Sequence, residues 1–445
     1  MNRAQVRPAS GSSLLKRIVS GLVFAALTIN IVVPKAGLKI GDVPVTVGTV
    51  LCVLALAGGM LGFLAGRLML MTSITGLALL LASYMSVRST IGWLLGDDSI
   101  EYAWGLVIGP LLFILITNVL TTNRDVEIAA RIVVVGFVIV SAYAMLQFIL
   151  GVNTVAIPGV TVNLTDFQAG QEWYLEKHNR VGSGAKLFST YQNGNLLGVN
   201  LLLLFPIVYE VVKKRWKIPL LLVFVAVCLL TLSRSAWLGV VVYLGIRFVF
   251  TKSATASIAA ARIFAGLGLL VAGVLLFGAI PQLTERLFRS DLDSLTRLSG
   301  RTPRLSQLIE STIGNPIAVL FGPHTISTFE GSAYEITFGA VYLVGGVVAV
   351  FLLLVIQIKS IATLLRSADR VAVGVGYGVA VYAVASLVEG GFWLPPTASL
   401  FWMLLGVGFA AVARGGRVPT AHPFGTLDSS SRKGQVRNPP RSALT

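Results

Sequence analysis

The chain has 445 residues, 55% of them hydrophobic and only 12% charged, with a mean hydropathy of +0.83. Long apolar runs recur from end to end, which excludes a two-state soluble domain and indicates an all-α, polytopic integral membrane protein. The formal net charge of +16 would suit nucleic acid only if basic residues were interleaved with aromatics on one solvated face. Here they mark loop after loop, so no nucleic-acid partner is expected.

Runs of about 17–25 apolar residues are the signature of a membrane-crossing helix. Behind an N-terminal segment of residues 1–15, such runs cover 16–33, 43–65, 69–86, 104–120 and 128–150, then 194–212, 217–233, 235–250 and 262–280, and finally 334–357, 371–389 and 397–413. The expected architecture is about twelve transmembrane helices with two long extracytoplasmic loops, 151–193 and 281–333. No signal-peptide cleavage pattern follows the first run, so it is expected to be retained as a helix. The tail 414–445, rich in Ser, Pro, Gly and Arg, reads as disordered and attracted to anionic membrane lipids. Cys52 and Cys228 both lie inside apolar runs, where small buried hydrophobes are expected rather than a disulfide or a metal site.

Orientation follows from the basic residues. With the N-terminus in the cytoplasm, 23 of the 35 Lys and Arg fall inside and 12 outside, while 5 of the 19 acids fall inside and 14 outside. Both termini are then cytoplasmic in a cytoplasmic (inner) membrane. Both long loops and the TLSRSAWLG turn, Thr231 to Gly239, face the outside. Long loops are where binding and catalysis concentrate.

Arg234 in that turn must be paired or solvated, because a lone arginine at mid-membrane costs at least about 2.5–3.5 kcal/mol. The first long loop ends RVGSGAKLFSTYQNGN, Arg180 to Asn195. A glycine-spaced turn with amides can lay backbone N–H groups against a polar ligand, although Asn195 could equally be an ordinary helix cap. The second long loop holds Arg286, Arg289, Arg297, Arg301 and Arg304 within nineteen residues and no lysine. Guanidinium binds phosphate bidentately, so planar anionic groups are the expected ligands, with lipid headgroups the alternative. Arg297, Arg301 and Arg304 have the spacing of one helical face, interrupted by Gly300 and Pro303.

Taken together, RVGSGAKLFSTYQNGN, TLSRSAWLG and SGRTPRLSQLIESTIGNPIAVLFG followed by GSAYEITFGAVYLVGGVVAV resemble successive blocks of the O-antigen polymerase and O-antigen ligase family. The resemblance covers about residues 175–355; the first five spans and the tail match only in hydropathy and topology. It implies a GT-C-like glycosyltransferase that needs no cofactor and no metal. The implied donor is a glycan on undecaprenyl pyrophosphate, and the acceptor a second lipid-linked glycan (polymerase) or lipid A-core (ligase). By the same resemblance Arg180 and Arg234 contact the donor pyrophosphate, and Arg301 is the arginine of the SGR block, with Arg297 and Arg304 beside it.

The chain departs from the ligase pattern at the proton acceptor. Ligases resemble H-(N/S/Q)-x9-G at the start of the span after the large loop, and the glycines of YLVGG put Tyr334 or Glu335 in the histidine slot. His324 lies about ten residues early. Three readings stand: His324 is the base, Glu335 replaces it, or no side-chain base is essential. The missing histidine tilts the reading toward polymerase. Glu389, at the end of the eleventh run, is a further carboxylate on the same face. Asp291-Leu292-Asp293 matches D-x-D, but on a face where nucleotide sugars are absent, and His178 and His422 have no partners in sequence. The rivals are a secondary transporter or flippase, against which stand the missing internal repeat and mid-span acid, and the cell-wall polymerases of shape and division, whose loop motifs are not found.

Overall fold

A computed structural model of the chain describes residues 10–40, 43–64, 72–94, 100–152, 154–162, 164, 187–250, 309–310, 312–323, 336–390 and 397–414. These residues are overwhelmingly helical. The helices in chain order are α1 (Ser10–Val32), α2 (Val47–Leu64), α3 (Thr75–Leu94), α4 (Ile100–Val119), α5 (Asn123–Leu150), α6 (Gly194–Val211), α7 (Lys214–Leu230), α8 (Arg234–Phe250), the short α9 (Pro316–Phe321), α10 (Thr337–Leu365), α11 (Arg370–Ala385) and α12 (Thr397–Ala413). Among the described residues five helices are long and apolar enough to cross a membrane, Leu14–Val32, Thr75–Leu94, Asn123–Leu150, Gly194–Val211 and Thr337–Leu365, and four more are apolar but shorter. The ninth expected run, 262–280, lies outside the described residues, as do the arginine-rich stretch of the second loop and the tail beyond Arg414.

Apolar side chains also cover the outside of the bundle. Ile149, Leu94, Ile218 and Phe351 are 71%, 69%, 66% and 62% exposed. A soluble surface would not tolerate so continuous an apolar face, whereas lipid does. The interior is close-packed: Phe205 of α6 stacks on Phe224 of α7 at 4.1 Å and meets Tyr243 of α8 edge-on at 5.6 Å. Cys52 and Cys228 are buried free thiols, as their sequence context predicts.

Three local features differ from the hydropathy reading. Residues 43–46, counted in the second run, form strand β2 (Val43–Thr46), paired antiparallel with β1 (Gly37–Ile40). The β-branched Val43, Val45 and Thr46 favour an extended backbone. The third run is displaced: α3 covers Thr75–Leu94 rather than 69–86, because Arg88 is not a loop residue. It is 5% exposed and donates from Nε to the Phe321 carbonyl at 2.8 Å and from an Nη to the Pro323 carbonyl at 3.3 Å. A guanidinium with such acceptors can be carried inside a helix bundle. The tenth run, 334–357, becomes α10, which continues to Leu365 but is broken at Gly346 (φ 61°, ψ −163°).

That break seats α9. A Cβ on Gly346 would stand 2.3 Å from the Leu320 carbonyl oxygen, and one on Gly322 (φ 85°) 2.6 Å from that of Leu343. The carbonyl of Gly345, freed by the kink, accepts the Tyr84 hydroxyl of α3 at 2.7 Å.

Hydrogen bonds and ion pairs between helix ends sort the bundle into two faces. At one, which carries the start of α1 and the end of α12, Lys16 donates to Thr121 and Arg414 to the Thr117 carbonyl at 3.4 Å. Gly408 of α12 packs on Val375 near the start of α11, and Gly374 of α11 on Ile207 near the end of α6, which brings the Glu210–Arg247 pair, 2.9 Å apart, to this same face. At the other, Tyr191 donates to the Ile31 carbonyl at 3.0 Å and Thr337 to that of Glu389 at 2.8 Å. Arg234 lies on this second face.

Candidate functional site

The turn between α7 and α8 is built residue by residue from its sequence. The Thr231 hydroxyl closes the end of α7 onto the Cys228 carbonyl at 2.6 Å, and Leu232 adopts φ 53°, a left-handed backbone that a leucine rarely takes. The Ser233 carbonyl accepts the Trp237 N–H at 3.1 Å, and the Trp237 indole N–H reaches back to the Cys228 and Leu229 carbonyls at 3.2 and 3.3 Å. Thr231, Ser233 and Trp237 therefore hold a strained, buried reversal that presents Arg234 as the first residue of α8. Packing holds it from behind. A Cβ on Gly198 of α6 would stand 2.4 Å from that of Ala236, and such small-residue contacts let membrane helices approach closely.

An arginine at a helix N-terminus opposes the macrodipole, at a cost of about 0.3–1 kcal/mol. Helix stability thus gives no reason for Arg234. Glu389 enters the same turn. It is 8% exposed, and its Oε2 lies 3.3 Å from the Ser235 hydroxyl, which is in turn 2.8 Å from that of Ser233. Both the backbone N–H and the hydroxyl of Thr337, at the start of α10, donate to the Glu389 carbonyl, at 3.2 and 2.8 Å. A carboxylate at this position favours the first turn of α8, which the arginine does not.

The end of the first long loop is fixed on the same face. Gln147 of α5 and the backbone of Ser189 bond each other twice, with 2.7 and 3.0 Å between donor and acceptor, and the Ser189 hydroxyl donates to the Val140 carbonyl at 2.8 Å. Ser189 is held at φ 52°. The Tyr191 phenol is buried, which pushes its pKa far above the ordinary value and keeps it a neutral donor to the Ile31 carbonyl. The backbone of Leu187 donates to the Leu230 carbonyl at 3.3 Å, so the loop end and the Arg234 turn are in direct contact. The cap of α6 is Asn193, whose side chain accepts the Leu196 N–H at 2.9 Å, and not Asn195. A residue with extended backbone immediately before the helix is the one positioned to cap it.

Of the residues singled out in sequence, the structure thus places Arg234, and it places Glu389 beside Arg234's neighbour Ser235. Arg180, Arg297, Arg301, Arg304, His324 and Glu335 lie outside the described residues. In sequence, Glu335 precedes Thr337 by two positions and His324 follows Pro323 by one. Gln147 and Ser189 carry no signal in sequence, since a glutamine inside an apolar run and a serine in a loop are ordinary by themselves.

No protein-family model matches the chain, and no curated protein matches it. The site offers a cation at a strained helix start, a buried carboxylate bonded to the next residue, Ser235, and a loop end bonded to the end of α7. Such a group of residues offers a cation for an anionic leaving group at Arg234 and a carboxylate, Glu389, that can accept a proton.

Proposed function

We propose that the protein is a metal-independent glycosyltransferase that moves a glycan from undecaprenyl pyrophosphate to a hydroxyl acceptor, with an O-antigen or exopolysaccharide polymerase preferred. The observation that supports this reading most directly is Arg234 at the strained start of α8, with Glu389 and the pinned end of the first loop against the same turn. In the reaction the acceptor oxygen attacks the anomeric carbon, the new C–O bond forms as the bond to pyrophosphate breaks, and the acceptor proton passes to a base. The lipid pyrophosphate leaves with the bonding electron pair. Arginines neutralise that developing charge, with Arg234 and, from the loops, Arg180 and Arg301 as the proposed contacts and Arg297 and Arg304 beside them. Glu335, His324 and now Glu389 are the candidate proton acceptors. From the distribution of Lys and Arg we place the chain in the inner membrane with about twelve spans, both termini cytoplasmic and the site on the periplasmic face.

The test is glycan analysis of a deletion strain complemented with wild type or with Arg180→Ala, Arg234→Ala or Arg301→Ala. A polymerase leaves single repeat units on lipid A-core when it is lost, and each arginine variant should do the same at normal membrane abundance. Full-length polymer stranded on undecaprenyl pyrophosphate would instead assign the ligase reaction. Repeat units trapped on the inner leaflet would assign a flippase, and wild-type product from two of the three variants would remove the site.

A further inference from the structure

On the face opposite Arg234, a cleft of about 490 Å³ opens between the first turns of α1 and the α4–α5 connection. Lys16 and Arg17 stand at its rim, Ser20 and Thr121 add hydroxyls, and Phe24 forms an apolar wall deeper along α1. The Lys16 ammonium donates to the Thr121 hydroxyl, which holds the cation toward the cleft rather than out in solvent. One acid lines the cleft, Asp125, but it is already engaged: its Oδ2 accepts the Thr122 N–H at 2.8 Å in a capping box, and it lies within electrostatic reach of Arg414 from α12. The capping box also satisfies the start of α5, so the site does not depend on that helix terminus. What remains is a pocket lined by two positive charges, hydroxyl groups and an apolar wall, between helices and at the level where apolar α1 begins.

We propose that this cleft binds the phosphate of an anionic glycerophospholipid, with Lys16 and Arg17 on the phosphate, Ser20 and Thr121 donating to its oxygens, and the acyl chains descending past Phe24. Basic pockets between membrane helices are the recurrent form of such sites. The inference rests on the chain being membrane-embedded and not on glycosyl transfer, so each can fail alone.

The probe is dioleoylphosphatidylglycerol titrated into the detergent-solubilised full chain, with affinity read from the rise in thermal midpoint. Parallel titrations use dioleoylphosphatidylcholine and inorganic phosphate. Wild type should respond to phosphatidylglycerol alone. The double variant Lys16→Gln/Arg17→Gln should bind about 25-fold more weakly, at about fivefold for each basic residue. Gly21 also lines the cleft, with nothing within 4 Å of where its Cβ would lie, so Gly21→Trp fills the space while keeping every charge and should abolish the response. Arg131→Gln, which removes an exposed arginine of α5 paired with Glu127, should leave it intact. A full response from Gly21→Trp, an equal loss in Arg131→Gln, or an equal shift from inorganic phosphate would each overturn the proposal, the first two in favour of diffuse surface charge and the last in favour of a free anion.

Discussion

Replacing Gly346 by alanine tests the most specific packing feature in the bundle. At φ 61° and ψ −163° the residue occupies a backbone region that is open essentially to glycine alone, and forcing a side chain there costs about 1–3 kcal/mol. The added Cβ would also stand 2.3 Å from the Leu320 carbonyl oxygen and 2.6 Å from the Gly322 nitrogen. Both are backbone atoms of α9 and its cap, so no rotamer change relieves the overlap, and overpacking adds about 1–3 kcal/mol more. The expected total is about 2–6 kcal/mol, expressed as detachment of α9 from α10 and loss of the carbonyls that Arg88 reaches. Cys52 and Cys228 are buried free thiols, so thermal unfolding in detergent can be followed by a thiol-reactive fluorophore. Gly76→Ala serves as control, since a Cβ there meets nothing within 4 Å, and alanine is the better helix former. Gly346→Ala should melt well below wild type and Gly76→Ala at or slightly above it. Equal midpoints for Gly346→Ala and wild type would refute the kink as the seat of α9.

At the site, Glu389→Gln keeps a side chain that can bond Ser235 but removes the base, so transfer should fall by about 10²–10⁴ if Glu389 takes the proton; undiminished product in a membrane assay would return that role to Glu335 or His324. Asn193→Ala removes the cap of α6 and should lower stability by about 1 kcal/mol, read as an earlier thermal midpoint. In the Glu210–Arg247 pair, either single truncation leaves a poorly solvated charge and should cost about 3–5 kcal/mol, whereas Glu210→Gln/Arg247→Met should cost less than the sum of the singles; additive losses would show the pair to be uncoupled. Asp369 caps α11 through the Val371 and Ala372 N–H groups, yet burial raises its pKa from 3.8. With the folded value above the unfolded one, the ionised form is disfavoured in the folded state, and the group's contribution to stability is lost as pH rises through the folded pKa. Asp369→Asn retains a cap, so it should melt higher than wild type near neutral pH and lose that advantage below about pH 3.8; an advantage independent of pH would refute the burial argument.

The parts of this fold that hydropathy reveals are those where apolar length alone decides. The run at 397–413 coincides with α12, and the run at 194–212 with α6 to within one residue. It fails where a polar residue finds a partner far away in sequence. Arg88 reads as a loop residue until Phe321 and Pro323, more than 230 positions later, supply carbonyls. The site divides in the same way. TLSRSAWLG is legible because an arginine between two apolar runs must be accounted for, but its contact with Glu389 spans 154 positions from Ser235, and no local pattern announces it. Gly345 and Gly346 read as the tail of a motif counted back to Tyr334 or Glu335; in the structure their neighbourhood receives α9, which makes them packing residues.

Arg88 and Arg234 have opposite relations to the helices they serve. Arg88 donates to the carbonyls of Phe321 and Pro323, at and just beyond the end of α9, where unsatisfied acceptors and the negative end of the helix dipole welcome a cation. The bundle itself accounts for it, and Arg88→Met should harm folding before it harms any reaction. Arg234 occupies the first position of α8, where the dipole repels it, in a turn whose Leu232 backbone is strained. On the proposed reading that cation serves the pyrophosphate of the donor rather than the fold. Arg234→Met should therefore change the unfolding free energy by no more than about 1 kcal/mol and remove product. Should Arg234→Met unfold the protein while Arg88→Met leaves it stable and inactive, the assignment of the two arginines would have to be exchanged.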